Sequence, residues 1–196
     1  MRSWTRPRRS PPSWTESLLL VVAATERELA AVGGADKLVC GIGPVEAALE
    51  TARTLAERRP DALLHVGIAG ARGLPVGTGV VGTEAVYVDI AAAIPVVERA
   101  APDPQLLAAV REALPELRSL SIATSARTGA AGGFEVEAME GFAVLRAAEA
   151  VGVPAVEVRV VANEIDEPDR ARWQIAEALA ALDELLPRLV AVASAA

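Results

Sequence analysis

Continuous apolar runs, each followed by a glycine-rich or polar stretch, recur along the chain. Such runs are typical of strands that are covered on both faces. They predict strands over residues 18–24, 38–42, 62–66, 77–89, 120–124 and 156–162. Apolar residues at helical spacing predict helices over residues 45–58, 103–113 and 140–150, and a long helix from Asp169 towards the C-terminus. This alternation predicts an α/β fold, a three-layer sandwich with a mostly parallel, mixed central sheet.

The first sixteen residues differ in composition from the rest of the chain. They hold four arginines, three prolines and one glutamate, whereas the whole chain has a net charge of −7. A basic, proline-rich segment of this kind buries too little apolar surface to fold. We therefore predict a disordered basic tail over residues 1–16 and a single domain over residues 17–196.

Charge and residue counts exclude several classes of function. A net charge of −7 disfavours a general nucleic-acid binder, which needs a basic face to neutralise phosphates. The chain has one cysteine, Cys40, and one histidine, His65, so a zinc site built from several such ligands is excluded. Both are expected to be core residues, the histidine packed or hydrogen-bonded. No apolar run approaches the roughly 18 residues of a membrane span, and we expect a cytoplasmic protein without a metal or a membrane partner.

Charged residues lie where the predicted strands end, which is where ligands bind in open α/β sheets. Glu28 follows the first strand; a carboxylate there can act as a general acid or base, or only favour a helix N-terminus by its charge. Glu140 precedes an apolar helix, where it can bind two vicinal hydroxyls or simply start the helix. Arg159 lies inside an apolar strand and needs a buried partner, for which Glu28 and Glu140 are candidates. From position alone, both interpretations of each carboxylate stay open.

Small residues and an amide also follow predicted strands. Residues 41–44 and 67–70 are predicted to be tight turns, in which backbone N–H groups can approach an anion or a hydroxyl. The first of these turns is neither a dinucleotide-binding fingerprint nor a phosphate-binding P-loop. Asn163 ends the last predicted strand and offers one donor group and one acceptor, enough to read the edge of a base.

Five segments, taken in order, resemble the purine nucleosidase and phosphorylase superfamily. Within it they are most similar to the branch of methylthioadenosine/S-adenosylhomocysteine nucleosidases and futalosine hydrolases. The segments are residues 24–28 (ATERE), 41–45 (GIGPV), 67–70 (GIAG), 137–141 (EAMEG) and 158–163 (VRVVAN). The resemblance covers about residues 18–190. It implies a nucleoside phosphorylase-like sandwich, a purine nucleoside substrate, no cofactor and a homo-oligomer.

Carried over by position, the resemblance assigns the chemistry to residues near the strand ends. Glu28 matches the glutamate that activates the attacking water, and Arg159 matches the arginine that helps to hold that water. The positions that match contacts to the ribose and the water are Ala69, Gly70, Met139 and Glu140.

The base and the 5′ substituent are assigned to further positions by the same resemblance. Asn163 falls where adenine-specific nucleosidases place an aspartate. An amide hydrogen-bonds N7 and O6 of a 6-oxopurine but cannot donate a full proton, which favours hypoxanthine over adenine. Trp173 falls where relatives carry an aromatic residue near the 5′ substituent, and Arg170 and Arg172 are candidates to meet a carboxylate on that substituent. Phe134, in a segment shorter than that of relatives, is the candidate to stack on the base.

The resemblance therefore implies hydrolysis of the N-glycosidic bond of futalosine to hypoxanthine and dehypoxanthine futalosine, in menaquinone biosynthesis. Three alternatives stay open: a nucleosidase for methylthioadenosine or S-adenosylhomocysteine, a phosphorylase, and an inactive homologue that only binds nucleosides. The sequence disfavours phosphorolysis, because the turn at residues 41–44 has no adjacent basic residue and Glu28 would repel phosphate.

Overall fold

The computed structural model describes residues 19–90 and 93–196, so the tail predicted over residues 1–16 lies outside the described residues. The strands are β1 (Leu19–Ala23), β2 (Asp36–Val39), β3 (Ala62–Ala71), β4 (Gly79–Tyr87), β5 (Arg99–Ala100), β6 (Arg118–Thr124), β7 (Val136–Ala138) and β8 (Ala155–Glu164). The helices are α1 (Pro44–Glu57), α2 (Pro104–Ala113), α3 (Gly141–Val151) and α4 (Ile175–Ala195). Short 3₁₀ turns lie at Arg27–Leu29 and Arg170–Arg172. Among the described helices, none combines the length and the apolar character that a bilayer span requires.

Strand β1 shows why its apolar run is continuous. All of its side chains are buried. Leu19 and Val21 belong to the core that α2 and α4 form on one face of the sheet. Leu20 and Val22 belong to the core that α1 and α3 form on the other face. The sheet is thus covered on both faces, and the three-layer α/β sandwich predicted from the sequence is confirmed.

Within the described residues the sheet is mixed: five strand pairings are parallel and three are antiparallel. Strand β3 changes its neighbour along its length. Its first half pairs with β1, where Val22 lies opposite His65, and its second half pairs antiparallel with β7, where Glu137 lies opposite Gly70. The carboxyl ends of β1 and β7 therefore approach each other over the middle of β3. Such a switch in strand partners leaves a crevice in which ligands bind.

Five of the described strands close into a ring. Strand β8 pairs with β3 on one side and β4 on the other, and β4, β6, β7 and β3 are then paired in succession. Strands β1 and β2 extend the sheet outward from β3, and β5 extends it from β4. The crevice thus lies at the junction of the ring and its extension.

Three boundaries predicted from the sequence are wrong. The second strand ends at Val39 rather than at Ile42. Residues 67–70 are not a turn, because β3 continues through them to Ala71, paired with β8 and bulged between Ala69 and Gly70. The last helix begins at Ile175 rather than Asp169. The Asp169 carboxylate instead accepts a hydrogen bond from the N–H of Ala171 and caps a separate 3₁₀ turn.

Candidate active site

A cavity of about 340 Å³ opens at the crevice between the ends of β1 and β7. It brings together residues from seven separate segments of the chain. Of the nine residues predicted for the site, eight line it: Glu28, Ala69, Gly70, Met139, Glu140, Arg159, Asn163 and Trp173.

Glu28 lies in the 3₁₀ turn that follows β1, and its side chain is almost fully buried. Its Oε2 accepts hydrogen bonds from the N–H and the hydroxyl of Thr25, at 2.9 and 2.7 Å. Its Oε1 accepts one from the N–H of Ile68 at 3.2 Å. A carboxylate offers about four acceptor sites, so these three donors fix its orientation and leave capacity for one more. The carboxylate is held as an acceptor at the wall of the cavity.

Arg159 is the largest fully buried side chain of the described residues. Its Nε donates to Oε1 of Glu157 at 2.8 Å, and its Nη2 donates to Oε2 of Glu140 at 3.3 Å. Burial alone would lower the pKa of Arg159, but the charges of Glu157 and Glu140 raise it, so the guanidinium stays charged. Of the two partners expected from the sequence, Glu140 makes the ion pair and Glu28 does not. Glu157 was not predicted as a partner of Arg159, because the sequence of a strand does not reveal which side chains of neighbouring strands lie beside it.

His65 is a neutral hydrogen-bond acceptor beneath the cavity. Its Nδ1 lies 3.0 Å from the carbonyl oxygen of Val22, which assigns the ring proton to Nδ1. Its Nε2 is then free of a proton and accepts from Nη2 of Arg159. Complete burial, reinforced by the charge of Arg159, holds the pKa of His65 well below its usual range. The expectation of a packed, hydrogen-bonded histidine is confirmed.

Glu140 joins the glycine-rich turn before α1 to Arg159. Its Oε1 accepts a hydrogen bond at 3.0 Å from the N–H of Gly43, whose φ of 93° favours glycine. Although Glu140 immediately precedes α3, its side chain makes no capping hydrogen bond to that helix. The alternative role considered for Glu140 was a carboxylate that only starts a helix. The structure does not show that role, because the side chain bonds elsewhere. The turn was predicted to offer backbone N–H groups to an anion. In the structure, the N–H of Gly43 is already bound to the carboxylate of Glu140.

The short segment between β6 and β7 is held by two carboxylates. Glu137 accepts hydrogen bonds from the N–H groups of Gly129 and Ala130, at 2.5 and 2.9 Å. Asp89 accepts from the hydroxyl of Ser125 and the N–H of Ala126, at 2.8 and 2.6 Å. This bracing carries the next two residues, Arg127 and Thr128, to the cavity wall. Sequence reasoning missed these contributions, although Glu137 stood in the unusual stretch of two acids around a methionine.

Phe134 is a correction to the predicted site, because it does not line the cavity. It packs instead against a separate apolar cluster of Ala123, Ala131 and Ile165. Its carbonyl oxygen accepts a hydrogen bond from Nη1 of Arg72 at 2.8 Å. The braced segment is too short to turn the ring inward once these contacts are made.

Asn163, near the end of β8, and Trp173, just after the second 3₁₀ turn, both line the cavity. The Nδ2 of Asn163 donates one hydrogen bond to the carbonyl oxygen of Glu164 at 2.9 Å, and an amide nitrogen carries two protons. The Nε1 of Trp173 donates to the carbonyl oxygen of Glu167 at 3.1 Å, which fixes the indole. The guanidinium of Arg170 lies 5.3 Å from the centre of the Trp173 ring, and Arg170 also lines the cavity. Arg172 does not line it, and its Nη1 pairs with Glu167 at 2.8 Å.

The single cysteine is not placed for thiol chemistry at this site. Cys40 is fully buried, and burial followed by the charge of Glu140 raises the pKa of its thiol to about 12. A protonated, inaccessible thiol is a poor nucleophile. No three described histidine, cysteine, aspartate or glutamate side chains are arranged to hold a metal ion.

The mixed sheet between two helical layers, with carboxylates converging on a crevice at the strand ends, defines a protein of the nucleoside phosphorylase and nucleosidase class. A family model described as the phosphorylase superfamily matches residues 37–132. The futalosine hydrolase of Streptomyces coelicolor (strain ATCC BAA-471 / A3(2) / M145) is 36% identical over 187 residues, covering 81% of this chain and 80% of that protein. The chain belongs to the futalosine hydrolase family.

Two solved structures share the fold. The futalosine hydrolase of Helicobacter pylori strain 26695 superimposes with a TM-score of 0.78 at 17% identity, over 89% of this chain and 97% of that chain. A 5′-methylthioadenosine/S-adenosylhomocysteine nucleosidase from Colwellia psychrerythraea 34H, in complex with adenine, gives a TM-score of 0.76 at 20% identity, over 92% and 96%. The resemblance identified from the sequence is confirmed, and so is the class of enzyme, a hydrolase that acts on N-glycosyl compounds.

Proposed function

We propose that this protein hydrolyses the N-glycosidic bond of futalosine and releases hypoxanthine. The observation that carries the proposal is the convergence of Glu28, Glu140 and Arg159 on one cavity that has Asn163 on its wall. The 36% identity to the futalosine hydrolase of Streptomyces coelicolor supports the choice of substrate.

In the proposed mechanism, water attacks C1′ of the ribose as the base departs and the sugar gains oxocarbenium character. Glu28 takes a proton from this water, and Arg159 helps to hold it. Glu140 binds the two ribose hydroxyls and, as a carboxylate, favours positive charge on the sugar. Met139, Ala69 and Gly70 complete the contacts to the sugar and the water.

The leaving base is stabilised by Asn163 in this mechanism. One proton of Nδ2 is bound to the Glu164 carbonyl oxygen, which leaves the other for the purine. A hydrogen bond from this N–H to N7 or O6 stabilises the negative charge that develops on departing hypoxanthine. Adenine, which leaves best when N7 is protonated, gains less from an amide.

The direct test incubates the purified protein with futalosine, inosine and methylthioadenosine, each with and without phosphate, while free base is followed by chromatography. We expect hypoxanthine from futalosine at a rate that phosphate does not change. Adenine from methylthioadenosine as the main product would overturn the choice of substrate. A rate that requires phosphate would overturn hydrolysis, and no free base from any substrate would favour a homologue that only binds nucleosides.

The geometry of the turn before α1 supports hydrolysis over phosphorolysis. In phosphorolysis the attacking phosphate ion needs free hydrogen-bond donors to bind it, but the N–H of Gly43 is bound to Glu140. The buried carboxylate of Glu28 on the same cavity wall would repel an anion.

Replacing Asn163 by Asp is expected to shift base preference towards adenine. The acid form of an aspartate can donate a full proton to N7, so the ratio of kcat/KM for adenosine to that for inosine should rise about tenfold or more. These two nucleosides differ only in the base, and the comparison is made by steady-state release of adenine and hypoxanthine. In the control Asn163→Ala, both rates should fall together. An unchanged ratio in Asn163→Asp would contradict the role given to Asn163.

Arg170→Ala is expected to weaken binding of a substrate with a carboxylate on its 5′ tail. The loss of a charge-assisted hydrogen bond should raise KM for futalosine about tenfold. Inosine lacks this carboxylate, so its KM should not change. Arg172→Ala is the matched control, because Arg172 pairs with Glu167 and does not line the cavity. Equal effects of the two substitutions on KM would contradict this role for Arg170.

We also propose a homo-oligomeric, cytoplasmic enzyme of menaquinone biosynthesis, built on a single nucleosidase-like domain over residues 17–196. Support for an oligomer comes from an apolar surface at the start of α1. Ile42, Val45 and Leu49 are 60–66% exposed, and Ile42 also lines the cavity. Apolar patches of this kind are typical of protein interfaces. Light scattering from the purified protein measures the oligomeric state.

A further inference from the structure

Four positions of β3 and β8 lie side by side beneath the cavity. The parallel register places His65 opposite Glu157, and Gly67 opposite Arg159. Alternate residues of a strand project to the same face, so the three side chains share one face and the glycine leaves a gap among them. A Cβ at Gly67 would collide with Nη1 of Arg159 and would lie 2.7 Å from Oε1 of Glu28. The guanidinium therefore occupies space that only a glycine provides.

Glu157 is a buried charged group that the catalytic scheme does not use. It has no exposed surface and does not line the cavity. Its Oε1 accepts from Nε of Arg159, and its Oε2 has no hydrogen-bond partner among the described residues. A Cβ at Gly141, the first residue of α3, would collide with this carboxylate. Burying a carboxylate with an unpartnered oxygen costs stability, which the ion pair with Arg159 offsets only in part.

The hydrogen bonds of Arg159 fix the direction of its guanidinium. Its Nε is bound to Glu157, and its Nη2 is bound to His65 and Glu140. A guanidinium is planar, so fixing two of its nitrogens fixes the third. The third nitrogen, Nη1, takes part in none of these bonds and lies beside Gly67 and Glu28, where Arg159 reaches the cavity.

We propose that Glu157 and His65 are positioning residues, which set the plane of Arg159 so that Nη1 faces Glu28 and the attacking water. Neither side chain lines the cavity, so each acts through Arg159. This inference rests on the proposed function only for the role of the water. The orientation of Arg159 itself is independent of the substrate.

The kinetic test uses Glu157→Met, which keeps most of the size of the side chain but removes the oxygen that accepts from Nε of Arg159. We expect kcat to fall about 10–100-fold, as for other groups that orient a binding side chain, with KM within about threefold. The same substitution is then made in an Arg159→Ala background, where it should change kcat less than about threefold, because residues that act as a unit are not additive. An equal loss in both backgrounds would overturn the proposal.

Thr51→Val is the matched control. Thr51 is fully buried on α1, and its hydroxyl also lacks a partner among the described residues. Its replacement should leave kcat unchanged. A loss as large as that of Glu157→Met would show that any change at a buried polar site impairs the enzyme, and would overturn the specific role of Glu157.

A crystal structure of a variant tests this proposal independently of the proposed function. The crystal structure of Glu157→Met should show the guanidinium of Arg159 rotated away from Gly67, and an unchanged guanidinium would overturn the proposal whether or not futalosine is hydrolysed. Absence of futalosine hydrolysis by the natural protein would instead overturn the proposed function. If Glu157→Met does not fold, His65→Gln and His65→Leu test the same arrangement. Glutamine keeps an acceptor for Nη2 and should preserve the orientation of Arg159, whereas leucine should not.

Discussion

Glu28→Gln is expected to lower kcat for futalosine hydrolysis by about 10²–10⁴-fold, the usual contribution of a general base. The amide has nearly the shape of the carboxylate but cannot take a proton from water. Because the N–H and hydroxyl of Thr25 and the N–H of Ile68 already donate to this group, an amide nitrogen there would also face a donor. The measurement is kcat from the release of hypoxanthine, with a thermal melt to show that the variant is folded.

The matched control for this prediction is Glu26→Gln. Glu26 is two residues away and exposed, and its side chain makes no capping hydrogen bond to the 3₁₀ turn. Its replacement should leave kcat unchanged. If Glu28→Gln retained more than about a tenth of the natural kcat, another group would have to be the base.

Arg159→Met is expected to reduce the free energy of unfolding by about 3–5 kcal/mol, the usual result of removing one partner of a buried ion pair. Methionine fills much of the space but leaves Glu157 and Glu140 buried without a cation. Urea unfolding measures the change in stability, and the same variant should have lost nearly all activity.

Arg188→Met is the control for the loss of stability. The ion pair of Arg188 with Glu116 is half exposed on both sides, so its removal should cost no more than about 1 kcal/mol. Similar losses of stability from the two arginine substitutions would show that burial does not determine how much the ion pairs of Arg159 contribute to the free energy of unfolding.

The fold was predictable wherever one strand or helix is long and buried. Strand β1 is buried on both faces, so its sequence carries an uninterrupted apolar signal. Strands β5 and β7 are only two and three residues long, too short for any periodic pattern, and neither was predicted as a strand. Residues 67–70 have the small side chains that are typical of a turn. In the structure these small residues belong to β3, and the two glycines leave room for Arg159 and Asn163 to approach the strand closely.

The candidate site was predictable for residues that follow strands, because parallel strands bring their carboxyl ends to one edge. Glu28 and Asn163 reach the cavity for this reason, from the ends of β1 and β8, which both run parallel to β3. Glu140 reaches it because β7 runs antiparallel to β3 and ends close to the end of β1. Glu157 could not be found in this way, because its importance depends on the register that places it beside His65 and Arg159. Phe134 was predicted wrongly because the path of a loop depends on its bracing contacts, here those of Glu137.

The closed ring of strands has a consequence for hydrogen exchange. Strands at a sheet edge fray, and their amides exchange through small local openings. Around Arg159, strand β8 is paired with β3 on one side and with β4 on the other. The amides of β8 around Arg159 should therefore exchange only when the whole domain unfolds. The floor of the cavity would then be the most slowly exchanging part of the molecule. It would be ordered before the substrate binds, so that binding would not have to order it.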